Sequence, residues 1–336
     1  MRPAFFLFRK AYNCGMDETI KNIATQFNFK PIVENETRLK PADSFVLCGM
    51  GGSHLAAGLL KIYNPFLDIY IHRDYGLPPL SKKRFGKALF IASSYSGNTE
   101  EVVDFAENAF AARHDLAVIA TGGRLIEFAR RNGLPYIKMP DTGIQPRNAL
   151  GFSTLSLAKL TGDDDTLAEL QELGSKLRPD GLKEQGETLA EELKGKIPIV
   201  YSSRANLAIA YNWKIKFNES AKIPAFYNVF PELNHNEMNG FDIADRTKEL
   251  SSRFHFIFLE DADDQPKIMR RMEVLAKLYE ERGLPVKVVS IAGETIFERI
   301  FNTLILADWV ALSLSKIYGT EPAQVPMVEE FKKLIV

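Results

Sequence analysis

The chain has 336 residues, of which 46% are hydrophobic and 25% charged, and its formal net charge is -1. This is the composition of an ordinary globular protein, and the length favours two domains of ~100–150 residues each. The balance of charge argues against nucleic acid as the main partner, because nucleic-acid-binding proteins usually carry a basic surplus.

Cysteine content and hydropathy indicate the cellular compartment of the protein. Cys14 and Cys48 are too few for a disulfide framework, and Cys48 lies in an apolar run that is typical of a buried thiol. The chain has no uninterrupted apolar stretch of ~18 residues, so we expect no membrane partner. The first ten residues lack the pattern of a secretory signal peptide. These features predict a cytoplasmic protein.

Short apolar runs alternate with helical patterns from about residue 44 onward. In chain order, strands are predicted over residues 44–48, 68–72, 88–93, 116–120 and 135–139, with helices over 53–63 and 99–112. This alternation favours an α/β fold in which a parallel sheet carries helices on both faces.

A charged, helix-favouring segment follows, and then the alternation resumes. We predict that residues 161–196 form exposed helices that join two domains. Further strands are predicted over 197–201, 225–229, 254–259 and 286–290, with helices over 205–218, 266–282, 294–318 and 325–335. The predicted division is 1–155, a helical linker over 156–196, a second domain over 197–320, and a C-terminal helix over 321–336.

A glycine-rich turn follows the first predicted strand. Gly49–Ser53 (GMGGS) opens a helix, where glycines let a ligand approach the backbone and free amides favour an anion. A dinucleotide fingerprint would need a small residue where this chain has His54, which argues against a nicotinamide enzyme. A tight structural turn remains the alternative.

A second turn, rich in hydroxyl groups, follows the strand predicted over residues 88–93. Ser94, Ser96 and Thr99 surround Gly97 just before a helix. Hydroxyls together with helix-start amides would form a neutral phosphate cradle, distinct from a lysine-containing P-loop, whose motif is absent. One such turn is commonplace as a helix cap, whereas two turns after neighbouring strands favour a phosphate site.

The pattern S-x-S-G-x-T at Ser94–Thr99 matches the signature of the sugar isomerase (SIS) fold. Together with GMGGS, QPR at Gln145–Arg147, FNES at Phe217–Ser220 and ELNHNE at Glu232–Glu237, it resembles the bifunctional phosphoglucose/phosphomannose isomerases. The resemblance spans roughly residues 40–336. It implies two SIS subdomains, each a parallel sheet flanked by helices, in an enzyme shared by glycolysis and gluconeogenesis.

The resemblance also implies the composition of the active site. The 6-phosphate of a small-molecule sugar phosphate would be held by Gly52, Ser53, Ser94, Ser96 and Thr99. Arg147 would lie over the reacting carbons, and Glu219 would be the base. His235, supplied by the neighbouring subunit of a homodimer, would open the sugar ring, with Lys332 as its partner. No cofactor and no metal ion are implied.

The chemistry of an aldose–ketose isomerase suits these residue types. One proton moves between adjacent carbons, which needs a carboxylate base and a cation that stabilises the enediolate. Neighbouring Trp213, Ile215 and Phe217 favour an apolar surround for Glu219.

Other interpretations of these residues stay open. Glu219 could be a solvated helix-end carboxylate, Arg147 could merely start a helix, and His235 could be a loop histidine or a ligand beside Glu237. At the level of function, the alternatives are a non-catalytic SIS protein that binds sugar phosphates and another SIS sugar-phosphate isomerase.

Overall fold

The computed structural model describes residues 15–81 and 86–335. The expectations about the first ten residues and about Cys14 concern residues outside this range. Cys48 is fully buried, as predicted, and burial raises the pKa of its thiol to about 12.

Six strands form the first sheet. They are β1 (Val33–Glu34), β2 (Phe45–Cys48), β3 (Ile69–His72), β4 (Leu89–Ser94), β5 (Asp115–Ala120) and β6 (Tyr136–Lys138), in the spatial order β1-β6-β5-β4-β2-β3. Five strands are parallel, and the short edge strand β1 pairs antiparallel with β6. The strand β1 was not predicted, because a strand of two residues carries no readable alternation of apolar and polar positions.

Four parallel strands form the second sheet. They are β7 (Ile197–Ser203), β8 (Phe226–Phe230), β9 (Phe254–Glu260) and β10 (Val286–Ser290), in the spatial order β10-β9-β7-β8. The predicted α/β class is therefore confirmed: apart from the edge strand β1, both sheets are parallel, and both are flanked by helices.

Helices cover both faces of each sheet. The described α-helices are Met16–Lys21, Leu55–Tyr63, Glu100–Ala111, Gly123–Asn132, Leu150–Thr161, Asp164–Lys176, Lys183–Glu192, Leu207–Lys216, Lys248–Ser251, Pro266–Glu281, Ile296–Tyr318 and Pro326–Leu334. One hydrophobic cluster combines inner-face residues of both sheets with the helices between them. Two smaller clusters pack the outer faces, one under Glu100–Ala111 and Gly123–Asn132, the other under Pro266–Glu281.

The helix Ile296–Tyr318 is the centre of this arrangement. By length and composition alone it could cross a membrane, but 83% of its most apolar window is buried inside the protein. An apolar helix covered by other elements on all sides is the core helix of a layered fold. It therefore provides a rigid element that both sheets share.

The segment predicted as an exposed linker is partly buried. Leu170, Leu173 and Leu189 are at most 2% exposed and belong to the shared core. Gly186 lies against the central helix so closely that an added Cβ would be 2.4 Å from the Cβ of Trp309. The expectation of exposed helices is therefore wrong for this face, because their periodic leucines pack inward.

The contact at Gly186 gives a direct test of this packing. We expect Gly186→Ala to lower the free energy of unfolding by about 1–3 kcal/mol, since the new methyl group must push two packed helices apart. The measurement is urea unfolding of variant and parent. Gly181→Ala is the matched control, because its Cβ would meet no atom within 4 Å. A Gly186→Ala protein at least as stable as the control would contradict the packing.

Candidate active site

Two loops meet at the carboxyl ends of β2 and β4. These strands are neighbours in the sheet, yet the chain leaves them in opposite directions, toward β3 and β5. Such a divergence creates the crevice in which open α/β sheets bind ligands. The backbone N–H of Tyr95 donates to Ser53 Oγ over 2.9 Å, and Ser93 Oγ donates to the Ser53 carbonyl over 3.1 Å. Both predicted phosphate loops are thus joined in one unit.

The hydroxyl-rich loop after β4 is held in a tight turn. Ser94 Oγ lies 2.8 Å from Thr99 Oγ1 and accepts a hydrogen bond from the Gly97 N–H over 3.1 Å. Ser96 is exposed, and its Oγ accepts from the Asn98 N–H over 3.2 Å. Gly97 has φ of +70°, and a Cβ there would lie 1.9 Å from the Gly122 carbonyl oxygen. Only glycine permits this turn.

A third loop lies directly against the glycine-rich turn. A Cβ on Gly52 would be 2.6 Å from the carbonyl carbon of Pro146 and 2.8 Å from the Arg147 nitrogen. The short 3-10 turn Pro146–Asn148 therefore touches the predicted phosphate loops through its backbone. Glycine at position 52 is what allows the two loops to come this close.

The guanidinium of Arg147 is buried and paired. Only 2% of the residue is exposed. Nη1 donates to Glu219 Oε2 over 3.0 Å, Nε donates to Ser220 Oγ over 3.0 Å, and Nη2 donates to the Pro322 carbonyl over 2.6 Å. The structure thus brings two of the predicted catalytic residues into direct contact.

Glu219 lies in a π-helical turn, Phe217–Ala221, that ends the preceding helix. Its side chain is 34% exposed, whereas Trp213 and Phe217 are fully buried in the core. The expectation of an apolar surround is therefore wrong, because those rings pack inward and the carboxylate faces Arg147. Lys222 follows at φ of 60°, and its Nζ donates to the Glu219 carbonyl. Burial and the charge of Arg147 lower the pKa of Lys222.

The structure does not bring His235 to this pair. The chain enters β8 after Glu219 and leaves it before His235, so the two residues lie at opposite edges of the second sheet. A strand of five residues separates these edges by roughly 15 Å. His235 is exposed in the short 3-10 turn Glu232–His235.

The loop that carries His235 is anchored by Glu237. Tyr201 Oη donates to Glu237 Oε1 over 2.5 Å, and Asn228 Nδ2 donates to Oε2. Both carboxylate oxygens are therefore engaged with side chains of the second sheet. This arrangement makes Glu237 an anchor of the loop.

Lys332 is exposed on the last helix of the described residues. It is on the helix Pro326–Leu334, none of whose residues is buried, and its Nζ lies 2.9 Å from Glu329 Oε1. The chain nevertheless passes the site just before this helix, since Arg147 binds the carbonyl of Pro322.

Several polar groups around Arg147 were not predicted from the sequence. Ser220 and the Pro322 carbonyl share its guanidinium, and Asn148 next to it binds Asp308 of the central helix. Asp308 did carry a signal, because a lone carboxylate in the apolar run LILADWVAL needs a buried partner. Among residues 15–81 and 86–335, no group of three or more His, Cys, Asp or Glu could hold a metal ion.

The comparison with protein families identifies the second half of the chain. Residues 182–335 match the family described as the bacterial phospho-glucose isomerase C-terminal SIS domain. This range contains Glu219, His235 and Lys332.

Two curated relatives align with nearly the whole chain. The bifunctional phosphoglucose/phosphomannose isomerase of Aquifex aeolicus is 31% identical, over 94% of this chain and 97% of the relative. The protein of the same name from Caldicellulosiruptor bescii is 32% identical, over 96% and 94%. Among solved structures, tagatose-6-phosphate ketose/aldose isomerase from Escherichia coli superimposes with a TM-score of 0.67 at 15% identity, covering 95% of this chain and 97% of that chain.

His54, next to the glycine-rich turn Gly49–Ser53, gives a prediction on stability. The residue is 5% exposed, and burial lowers its pKa from 6.5 to about 4. The unfolded chain therefore binds a proton before the folded protein does. The stability that depends on neutral His54 is fully present above pH 6.5 and is lost as the pH falls toward 4.

We expect the parent protein to lose about 2 kcal/mol between pH 7.5 and pH 5 through this residue. His54→Gln, which does not titrate, should lose about 2 kcal/mol less over the same interval. The measurement is the free energy of urea unfolding at a series of pH values. Parallel pH curves for parent and variant would contradict the assignment.

Proposed function

The chain belongs to the family of bifunctional phosphoglucose/phosphomannose isomerases, and we propose that it interconverts glucose 6-phosphate, mannose 6-phosphate and fructose 6-phosphate. The observation that carries this proposal is the contact between Arg147 and Glu219, built against the phosphate loops through Gly52. A cation and a carboxylate beside a phosphate site are the groups that the reaction needs.

The phosphate end of the substrate is assigned to the two joined loops. Ser96 is exposed at the mouth of the turn, and Thr99 is half-buried at the start of the helix Glu100–Ala111. Gly52, Ser53 and Ser94 complete the phosphate site. Helix-start amides and hydroxyls can hold a dianion without a lysine.

The reacting end is assigned to Arg147 and Glu219. Glu219 removes the proton from C2 of the open-chain aldose while the C1 oxygen gains a proton, which gives a cis-enediol. The same carboxyl group then returns the proton to C1 as the C2 hydroxyl loses its own, which gives the ketose. Arg147 stabilises the negative charge that develops on the oxygens, a contribution that typically amounts to ~10²–10³ in rate.

His235 and Lys332 are assigned to opening of the sugar ring. His235 is exposed and is separated from Glu219 of its own chain by the length of β8, which supports a role at the site of a second copy in a homodimer. The helix that carries Lys332 has an exposed apolar side with Met327 and Phe331, and its base is tied to Arg147 through Pro322. We place the reaction in the cytoplasm, at the step that glycolysis and gluconeogenesis share.

The role of Glu219 is tested by Glu219→Gln. General-base loss typically costs ~10²–10⁴ in rate, so isomerisation should fall by that factor. Exchange of solvent deuterium into C2 of the sugar phosphate should fall with it, because both pass through the enediol. The affinity for a competitive sugar-phosphate inhibitor should stay within about threefold, since the phosphate loops are untouched.

A matched control is Glu192→Gln. Glu192 is 35% exposed and pairs with Lys287 over 2.8 Å, so it resembles Glu219 in exposure and pairing but lies away from the site. This variant should keep parental activity. A Glu219→Gln protein that exchanges deuterium at the parental rate would refute the assignment of the base.

The shared site is tested by mixing two inactive proteins. If His235 serves the partner's site, Glu219→Gln and His235→Ala subunits should form hybrid dimers in which one of two sites is intact. A fully exchanged equal mixture should regain about a quarter of parental activity. The measurement is activity after subunit exchange that native mass spectrometry has verified. No recovery would place both residues in one subunit's site.

A further inference from the structure

A buried polar trio lies beneath the Arg147–Glu219 pair. Lys216 Nζ lies 2.6 Å from Asp308 Oδ1, and the two side chains are 2% and 1% exposed. The same oxygen accepts a hydrogen bond from Asn148 Nδ2 over 3.1 Å. One carboxylate oxygen thus joins two separate segments of the chain to the central helix.

Each of those segments carries one member of the reacting pair. Asn148 directly follows Arg147 in the 3-10 turn Pro146–Asn148. Lys216 is the last residue of the helix Leu207–Lys216 and stands three positions, nearly one turn, before Glu219. Through the side chains of Asn148 and Lys216, Asp308 therefore restrains the two backbone segments that carry Arg147 and Glu219.

The base of this arrangement is rigid. Asp308 lies on the helix Ile296–Tyr318, which is packed into the core that both sheets share. Gln26 adds a second clamp, because its Nε2 donates to the Asn148 carbonyl over 2.7 Å and its Oε1 accepts from the Gly151 N–H over 3.0 Å. The turn that carries Arg147 is thereby held on both sides.

A contribution to stability does not by itself explain why Lys216, Asp308 and Asn148 are buried together. Desolvating two charges costs several kcal/mol per ion, and apolar residues of similar volume are often equally or more stable. Asp308 Oδ2 and Asn148 Oδ1 are moreover buried without a hydrogen-bond partner in the described part of the chain, which adds a further cost. Such an arrangement suits a site that needs fixed geometry, because a charged hydrogen bond tolerates little displacement.

We propose that Asp308, with Lys216 and Asn148, positions Arg147 and Glu219 relative to each other for proton transfer. The three are positioning residues, since each is at most 2% exposed and acts on the pair through its own contacts. This inference rests on the proposed isomerase function. A misplacement of about 1 Å can cost roughly 10²-fold in rate, so loss of the trio should lower turnover while the phosphate loops go on binding substrate.

The first test is Asn148→Ala, which removes the link from the Arg147 turn to Asp308, keeps the Gln26 contacts to the backbone and leaves the Lys216–Asp308 ion pair whole. We expect kcat to fall roughly 10- to 100-fold, while KM for fructose 6-phosphate changes less than about threefold. The matched control is Asn212→Ala. Asn212 is 1% exposed, compared with 2% for Asn148, and its Nδ2 donates to the Ala208 carbonyl of its own helix. The control should lose stability but keep kcat.

The second test frees the Glu219 side. Asp308→Asn alone would leave Lys216 as an unpaired buried cation and risk unfolding. We therefore combine it with Lys216→Met, which removes the buried positive charge. The asparagine at position 308 retains an oxygen that can accept the hydrogen bond from Asn148. The double variant should fold, as judged by its thermal transition, and show the same fall in kcat at nearly constant KM.

Two results would overturn the inference. One is a parental kcat in both Asn148→Ala and the double variant. The other is a fall in kcat that Asn212→Ala reproduces at equal loss of stability, which would make the effect merely structural. If the parent chain itself fails to isomerise hexose 6-phosphates, the proposed function is wrong, and this separates the two failures.

Discussion

Burial of the Arg147 guanidinium is the constraint on which the site depends. A cation that is 2% exposed must be paired and hydrogen-bonded, since an isolated buried charge costs many kcal/mol. Its partners come from distant parts of the sequence: Glu219 and Ser220 after one helix, and the Pro322 carbonyl before the last one. Because one guanidinium binds all of these groups, it fixes the C-terminal segment and the π-helical turn beside the proposed phosphate loops.

The layered fold makes this convergence possible. The helix Leu207–Lys216 packs against the helix Leu55–Tyr63, so closely that a Cβ on Gly58 would lie 2.9 Å from the Cβ of Ala208. This contact brings the end of Leu207–Lys216 to the crevice at the carboxyl ends of β2 and β4. The central helix Ile296–Tyr318 lies behind both. Two sheets with separate outer helices thus share one inner layer, and the candidate site forms where phosphate loops of the first sheet meet a helix end of the second.

Local patterns allowed the fold class to be predicted and two turns to be proposed as phosphate loops. Apolar runs, glycines and hydroxyl groups indicate the local structure of the segment that contains them. The spacing of Ser94, Ser96 and Thr99 around one glycine was therefore enough to predict a turn that could bind phosphate. Contact between Arg147 and Glu219 spans 72 positions and followed only from the family resemblance. The π-helical turn and the Arg147-bound carbonyl of Pro322 leave no composition signal, because both depend on tertiary packing. The burial of leucines in residues 161–196 was not predicted, because the many charged residues around them indicated an exposed segment.

The central claim is that the Arg147–Glu219 pair beside the phosphate loops makes this chain a hexose-6-phosphate isomerase. The most direct measurement is a coupled assay for fructose 6-phosphate, with the purified protein and either glucose 6-phosphate or mannose 6-phosphate as substrate. We expect turnover of both sugars, each lowered by ~10²–10⁴ in Glu219→Gln. Binding of both sugar phosphates without formation of fructose 6-phosphate would contradict it and would identify a protein that only binds them.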